Sequence, residues 1–138
     1  MYSELNTLLR KSVNNNTFTY QGAALPVYFS GEWENDKGAH VRVLTDTGTP
    51  ESAEVGFYAS VNTTGMIQLG FFLPATDKGT DYALNELASQ VYTAFRRQSF
   101  VDGNFKVEWL SVERGDVMRI DGHNTVTVRV GFRVFYRG

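Results

Sequence analysis

The clearest pattern in the chain is a regular alternation of apolar and polar residues close to its end. The apolar members are Val126, Val128, Val130, Phe132, Val134 and Tyr136, with no gap in the series. A period of two predicts a strand that buries one face. Met66–Leu73 alternates in the same way, and shorter runs predict strands over His40–Thr45 and Phe105–Val112. In the last of these the alternation breaks near Trp109, which indicates a β-bulge.

Two segments instead repeat their apolar residues at helical spacing. Thr80–Arg97 carries Leu84, Leu87, Ala88, Val91 and Phe95 as one stripe, which predicts an amphipathic helix that Thr80 can cap. Leu5, Leu8, Leu9 and Val13 predict a shorter helix over Ser3–Val13.

The order of these segments is helix, strands, helix, strands. It predicts one domain over residues 1–138 of the α+β class, with a mainly antiparallel four- to five-stranded sheet and both helices packed on one face. The face under the helices would carry Val41, Leu69, Val107 and Val130.

The opposite face of that sheet mixes charge with large apolar groups. It would carry Arg42, Arg129 and Arg133 together with Phe72 and Phe135. Purely solvated faces rarely include such aromatics, so contact with another chain is one interpretation. A wet face with two stray aromatic residues is the other, and the pattern does not separate them.

The composition of the chain excludes several classes of function. The 138 residues carry a net charge of −2 with 42% hydrophobic residues, so a sizeable core is expected and a strong attraction to nucleic acid is not. The chain has no cysteine, which excludes disulfides, thiolate metal sites and cysteine nucleophiles. No apolar run approaches the roughly 20 residues that span a bilayer, and we expect a soluble protein without a membrane partner.

Candidate chemistry is sparse. Asp77-Lys78-Gly79-Thr80 precedes a predicted helix, where free backbone amides favour an anion, but a structural corner explains it equally simply. A metal site would need both His40 and His123 with carboxylates such as Asp116 and Asp121. No paired catalytic residues are visible. We therefore predict no catalytic residue, no cofactor, no metal and no enzyme activity.

Several segments together show a family resemblance. They are MYSEL at the start, LPVYF, HVRV, TPESAEVG, the long run GMIQLGFFLPATDKGTDYALNELASQVYTAFRRQSF, GDVMRIDG and VTVRVGFRVFYR. In this order they resemble the tail terminator, or tail completion, proteins of long-tailed bacteriophages. NNNTFTYQGAA and GEWENDKGA depart from that pattern, which affects expected loop contacts more than the expected fold.

The resemblance implies a structural subunit rather than an enzyme. Such subunits form a ring, expected to be a homohexamer, which caps the tail tube, ends its polymerisation and offers its other face to the head-completion or connector protein. DNA would pass through the lumen without sequence-specific binding. The resemblance also implies where the protein is found: at the head-proximal end of the virion tail, and in the host cytoplasm during assembly. Another neck or head–tail joining subunit is the alternative in this class, and a small-ligand-binding or hydrolytic α+β domain is the alternative outside it.

A closed ring of identical subunits needs two different contact surfaces on each subunit. The predicted contact residues, for a neighbour or for the tube, are Arg42, Phe57, Tyr58, Phe72, Arg129, Arg133 and Phe135. The acidic segment Asp46–Glu54 is the expected complement of the arginines.

Overall fold

The protein is mostly β: strands account for 52% of its residues, and there are two helices. The computed structural model describes residues 2–29, 37–47, 51–52 and 60–137. The helices are α1 (Tyr2–Asn14) and α2 (Thr80–Phe95). The strands are β1 (Thr19–Tyr20), β2 (Ala23–Ala24), β3 (Val27–Phe29), β4 (His40–Thr47), β5 (Glu51–Ser52), β6 (Ser60–Pro74), β7 (Ser99–Asp102), β8 (Phe105–Arg114), β9 (Met118–Ile120) and β10 (His123–Arg137).

One curled sheet holds eight of these strands. Its hydrogen-bonded order is β3-β4-β6-β10-β8-β7, with β5 also paired to β6 and β9 also paired to β10. The β3–β4 pair is parallel and the other pairs are antiparallel, so the sheet is mixed. The long strands β6 and β10 form its centre, and β1 and β2 make a separate two-stranded hairpin.

The predicted fold class is therefore wrong. The described residues form a mostly β structure with a mixed eight-stranded sheet, not an α+β domain with a mainly antiparallel sheet of four to five strands. Two physical causes account for the error. Strand β6 begins at Ser60, inside a polar stretch without alternation, and strands of two to four residues leave almost no periodic signal.

The predicted core residues are buried. Val41, Leu69, Val107 and Val130 are inaccessible to solvent and belong to one apolar cluster, which includes the whole predicted stripe of α2. Helix α1 adds Leu8, Leu9 and Val13 to this cluster. No helix among the described residues is long and apolar enough to cross a membrane.

The predicted irregularity near Trp109 is confirmed as a β-bulge. Between the pairs Val112↔Val130 and Trp109↔Phe132, two residues of β8 face the single residue Gly131 of β10. The extra residue returns Val112 to the core side of the sheet and leaves Leu110 exposed. A Cβ at Gly131 would lie 3.3 Å from the Ser111 hydroxyl oxygen, so the bulge leaves little room there.

A buried polar contact connects α1 to the sheet at this level. The indole Nε1–H of Trp109 donates to Ser12 Oγ at 2.9 Å, and both residues are buried. The Trp109 ring also packs edge-on against Phe95 and Phe132. The hydroxyl therefore satisfies the only polar atom of an otherwise apolar side chain.

Replacing Ser12 with Ala should lower the free energy of unfolding by about 1–3 kcal/mol, because it leaves the buried indole N–H without an acceptor. Urea denaturation measures this change. In a Trp109→Phe background the same Ser12→Ala change should cost much less, since no N–H remains to be satisfied. Equal costs in the two backgrounds would show that the hydrogen bond does not contribute.

Candidate functional site

The loop before α2, which resembled a possible anion site, is engaged in holding the fold together. Gly79 occupies the N-cap position in the left-handed region, with φ of 72°, and no side chain caps the helix. The predicted capping role of Thr80 is wrong, because Thr80 is the first helical residue and its buried hydroxyl accepts from Asn124 Nδ2 at 2.8 Å. This contact attaches the start of α2 to β10.

Asp77 in the same loop has a structural partner as well. The Tyr20 hydroxyl donates to Asp77 Oδ2 at 2.8 Å, which connects the β1–β2 hairpin to the loop. Burial raises the pKa of Tyr20, and the hydrogen bond and negative charge of Asp77 raise it further. The Asp77 carboxylate therefore accepts a hydrogen bond from a neutral phenol of the same chain, which is a structural contact and not a ligand contact.

The sheet face away from the helices carries a small packed cluster of its own. His40, Phe72 and His123 come from β4, β6 and β10, and all three are buried. The His40 and Phe72 rings stack in parallel with centroids 5.0 Å apart, and His123 lies edge-on to both at 5.3 and 5.9 Å. The Arg42 guanidinium covers the Phe72 ring at 4.0 Å from its centroid. We call these four residues the outer cluster.

Hydrogen bonds determine the ring orientations in the outer cluster. Arg42 Nε donates to His40 Nε2 at 3.0 Å, and a guanidinium can only donate. His40 Nδ1 must therefore carry the proton, which it donates to the Gly38 carbonyl at 2.8 Å. The two nitrogens of His123 lie 3.1 Å from the Asp121 carbonyl oxygen and 3.2 Å from that of Lys37.

The histidines considered as metal ligands thus meet in space, although they are far apart in sequence. Their ring nitrogens contact protein groups, and Asp121 approaches through its backbone carbonyl, not its carboxylate. Within the described residues, no group of three or more His, Asp or Glu side chains is arranged to hold a metal ion. The two histidines therefore have a structural role, because their rings pack against Phe72 on the outer face of the sheet.

The predicted contact residues fall into three places. Arg42 and Phe72 belong to the outer cluster, and Phe72 is only 8% exposed, so its ring packs within the protein. Phe57 and Tyr58 lie outside the described residues, as does most of the acidic segment Asp46–Glu54.

The remaining three contact residues follow one another along β10. Arg129 and Arg133 are exposed, and Phe135 is half-buried with the Arg133 guanidinium 6.0 Å from its ring centroid. Each arginine faces an acidic residue across the strand pair: Arg129 opposes Glu113, and Arg133 opposes Glu108. This part of the face is therefore charge-balanced, and not the basic surface that the alternation alone indicates.

A large surface concavity lies elsewhere, in a groove that the sequence analysis did not identify. It has a volume of about 810 Å³ and runs between the end of α2 and the outer edge of β8. Its lining side chains include Tyr92, Arg96, Arg97, Lys106, Leu110 and Val112. We call this feature the β8 groove.

The β8 groove combines exposed apolar groups with cations. Tyr92 is 44% exposed and Leu110 is 41% exposed. Arg96 folds back onto Tyr92, with its guanidinium 4.8 Å from the ring centroid, and Arg97 holds a φ of 54°. Both arginines lie at the end of the helix that the sequence predicts over Thr80–Arg97, but the groove beside them was not predicted.

A second exposed apolar area lies on β9. Met118 and Ile120 of β9 are exposed, as is Val117 just before the strand, and Met118 is the most exposed of the three at 59%. Strand β9 pairs with β10 over His123–Thr125 through a turn in which Asp121 and Gly122 both have positive φ. An Asp-Gly pair favours such a tight turn, because both residues tolerate positive φ.

Comparison with known proteins shows the fold and not the family. No protein-family model and no curated protein matches the chain. Eight chains of solved structures match. One of them covers 94% of this chain and 94% of its own, with a TM-score of 0.69 and 17% identity, under a name that states no function. At that identity the likeness establishes a shared fold alone.

Proposed function

We propose that the chain is a structural subunit that assembles into a closed ring, as expected of a tail terminator of a long-tailed phage. The ring would cap the tail tube at its head-proximal end and present its other face to the head-completion or connector protein. DNA would pass through the lumen without sequence readout. The resemblance of the sequence segments to tail terminator proteins supports two parts of this proposal: the class of protein and the six-fold symmetry of the ring.

One structural observation carries the proposal: among the exposed apolar side chains of the described residues, two groups lie in separate areas. The β8 groove exposes Tyr92 and Leu110, whereas β9 exposes Met118 and Ile120. A head-to-tail ring joins two different surfaces of neighbouring subunits, so two such areas on one subunit fit that geometry. A two-fold dimer would need only one self-complementary patch.

Charge has a secondary role in this proposal. Exposed ion pairs contribute only about 0–1 kcal/mol each, and the arginines of β10 already face carboxylates in the same subunit. We therefore assign the stability of the ring mainly to apolar contacts. The charges would determine which surface meets which.

The assembly itself provides the first test. Light scattering and electron microscopy of the purified protein, alone and with tail tubes, should show closed rings or capped tube ends. Met118→Ser combined with Ile120→Ser should weaken ring formation at all salt concentrations. Tyr82→Ser is the matched control, because Tyr82 is exposed on α2 and outside both areas. A wild-type protein that stays monomeric and ignores tube ends would contradict the proposal.

A small-ligand-binding domain is the second candidate, because the volume of the β8 groove falls within the 300–1,000 Å³ typical of ligand sites. A ligand that binds only the folded protein raises its melting temperature. A thermal-shift screen of small anions therefore separates this candidate from the ring.

A further inference from the structure

We infer that the β8 groove of one subunit receives strand β9 of a neighbouring copy of this chain, whose Met118 and Ile120 side chains pack against Tyr92 and Leu110. This inference rests on the proposed ring and names the contact that joins its subunits. Each subunit would use its groove for one neighbour and its β9 for the other.

The β8 groove is open because β7 covers only the first part of β8. Strand β7 pairs with β8 over residues 105–108, and the Trp109 N–H then donates to the Gln98 carbonyl at 2.9 Å. From Leu110 onward, no described strand lies on that side of β8. The bulge at Leu110 and Ser111 breaks the regular edge there, and bulges disfavour the addition of a further strand. The groove is therefore suited to receive side chains.

The lining of the β8 groove favours an apolar partner with acidic flanks. Exposed Tyr92 and Leu110 supply its apolar surface. Three cations belong to the same lining, two from the end of α2 and one from β8: Arg96, Arg97 and Lys106. Among the described lining residues, Glu108 is the one acid, and it lies 3.4 Å from the Lys106 ammonium. The two arginines thus give the groove a net positive charge.

Arg97 is an available cation in this lining. Its φ of 54° lies in the left-handed region, which glycine adopts freely and arginine does not. Residues held in such conformations cluster at functional sites. In the part of the chain that the structure describes, no carboxylate forms an ion pair with its guanidinium. A carboxylate from another copy of the chain can supply that partner.

Strand β9 has the properties that the groove requires. Met118 is 59% exposed and Ile120 is 38% exposed, and they share one face because they lie two residues apart in a strand. Exposed Asp116 and Asp121 flank the strand in sequence, with one opposing charge, Arg119, between them. An apolar strand with acidic flanks is complementary to an apolar groove with cations at its rim.

The backbone of β9 is held in place by β10 and by two further contacts. It pairs with residues 123–125 of β10, and the Thr125 hydroxyl donates to the Met118 carbonyl at 3.1 Å. The Nδ1 atom of His123 lies 3.1 Å from the Asp121 carbonyl oxygen, at the turn that follows β9. A surface that is ordered before binding loses less conformational freedom on association.

The topology prevents a subunit from filling its own groove with its own β9. Strand β6 occupies one side of β10 along its whole length. Strands β8 and β9 therefore lie end to end on the other side, where Arg114 pairs with Val128 and Met118 pairs with Thr125. At about 3.3 Å per residue, Leu110 and Met118 lie roughly 25 Å apart along this line. The β9 that enters a groove must belong to another copy.

The test links the two surfaces covalently. The chain has no cysteine, so Leu110→Cys with Ile120→Cys introduces its only two thiols, both at exposed positions. A short bis-maleimide reagent should join the assembled chains into a ladder that ends at a closed ring, because each subunit would be linked to two neighbours. Tyr82→Cys with Ile120→Cys is the matched control and should stay unlinked, since Tyr82 lies on α2 outside both areas.

Arg97→Gly provides a second measurement that separates contact from folding. It removes the cation and relieves the left-handed strain, so the melting temperature should equal or exceed that of the wild type. Self-association, measured by sedimentation at low salt, should weaken roughly two- to fivefold, as expected for the loss of one exposed ion pair. A lower melting temperature with unchanged association would contradict the role assigned to Arg97.

The cross-linking results also separate this contact from the ring. Linked pairs without larger species would mean that two copies contact each other reciprocally, which contradicts both this contact and the head-to-tail ring. Rings that form without any links would show that the ring stands while β9 does not enter the groove. A wild type that is monomeric alone and on tube ends would overturn the proposed function together with this contact.

Discussion

Replacing Phe72 with Ala should lower the free energy of unfolding by about 3–5 kcal/mol, although Phe72 points away from the helices. The ring stacks on His40, contacts His123 edge-on and lies under the Arg42 guanidinium. It also lies over Gly70, where an added Cβ would come within 3.0 Å of the ring. Truncation would remove all of these contacts and leave a cavity in the outer cluster. Urea denaturation with a constant slope measures the change.

Phe135→Ala is the matched control for this variant. Phe135 lies on the same face of the sheet, but it is half-buried and its Arg133 neighbour is 6.0 Å away. Its truncation should cost clearly less than that of Phe72. If the two variants lost equal stability, the outer cluster would have no special role and Phe72 would be an ordinary surface aromatic.

The long elements of the fold were predictable because their side chains repeat. Strand β10 buries Val126, Val128, Val130, Phe132 and Val134 without interruption, and α2 buries its whole predicted stripe. Even the bulge near Trp109 was indicated by a break in alternation. Such patterns are read directly from the sequence, because burial of one face imposes the period of the element.

The strand content was underestimated because short strands depend on backbone pairing with a neighbour. Strand β9 has three exposed residues and is held by pairing with the start of β10. Strand β3 is parallel to β4, a pairing between segments on either side of a long connection. Each has only three residues, too few to establish an apolar period, and this is why a sheet of eight strands was predicted as four to five.

The candidate surfaces were harder to predict, because they combine residues from distant segments. The outer cluster needs β4, β6 and β10 in register, so the alternation alone predicts Phe72 as a contact residue, whereas its ring is packed within the protein. The β8 groove appears only where β7 ends and α2 comes alongside the bulge. The sequence predicts a basic surface around the arginines of β10. The carboxylates that oppose them on β8 can be assigned only once the register of the two strands is known.

Replacing Leu69 with Ala should cost about 2–5 kcal/mol, because Leu69 is fully buried at the centre of the main core. It pairs with Val43 on one side and Val128 on the other, so the cavity would open between three strands and the helices above them. Leu44→Ala removes the same atoms from the opposite face of β4, where the side chain is 44% exposed, and should cost less than about 1 kcal/mol. Chemical denaturation of both variants gives the comparison.

Ring formation should not depend on this core position. Because neither Leu69 nor Leu44 lies in the β8 groove or on β9, a Leu69→Ala protein that remains folded should still form rings. Loss of rings in a folded Leu69→Ala protein would mean that assembly depends on the shape of the whole sheet, and the two surface areas would not be sufficient to explain it.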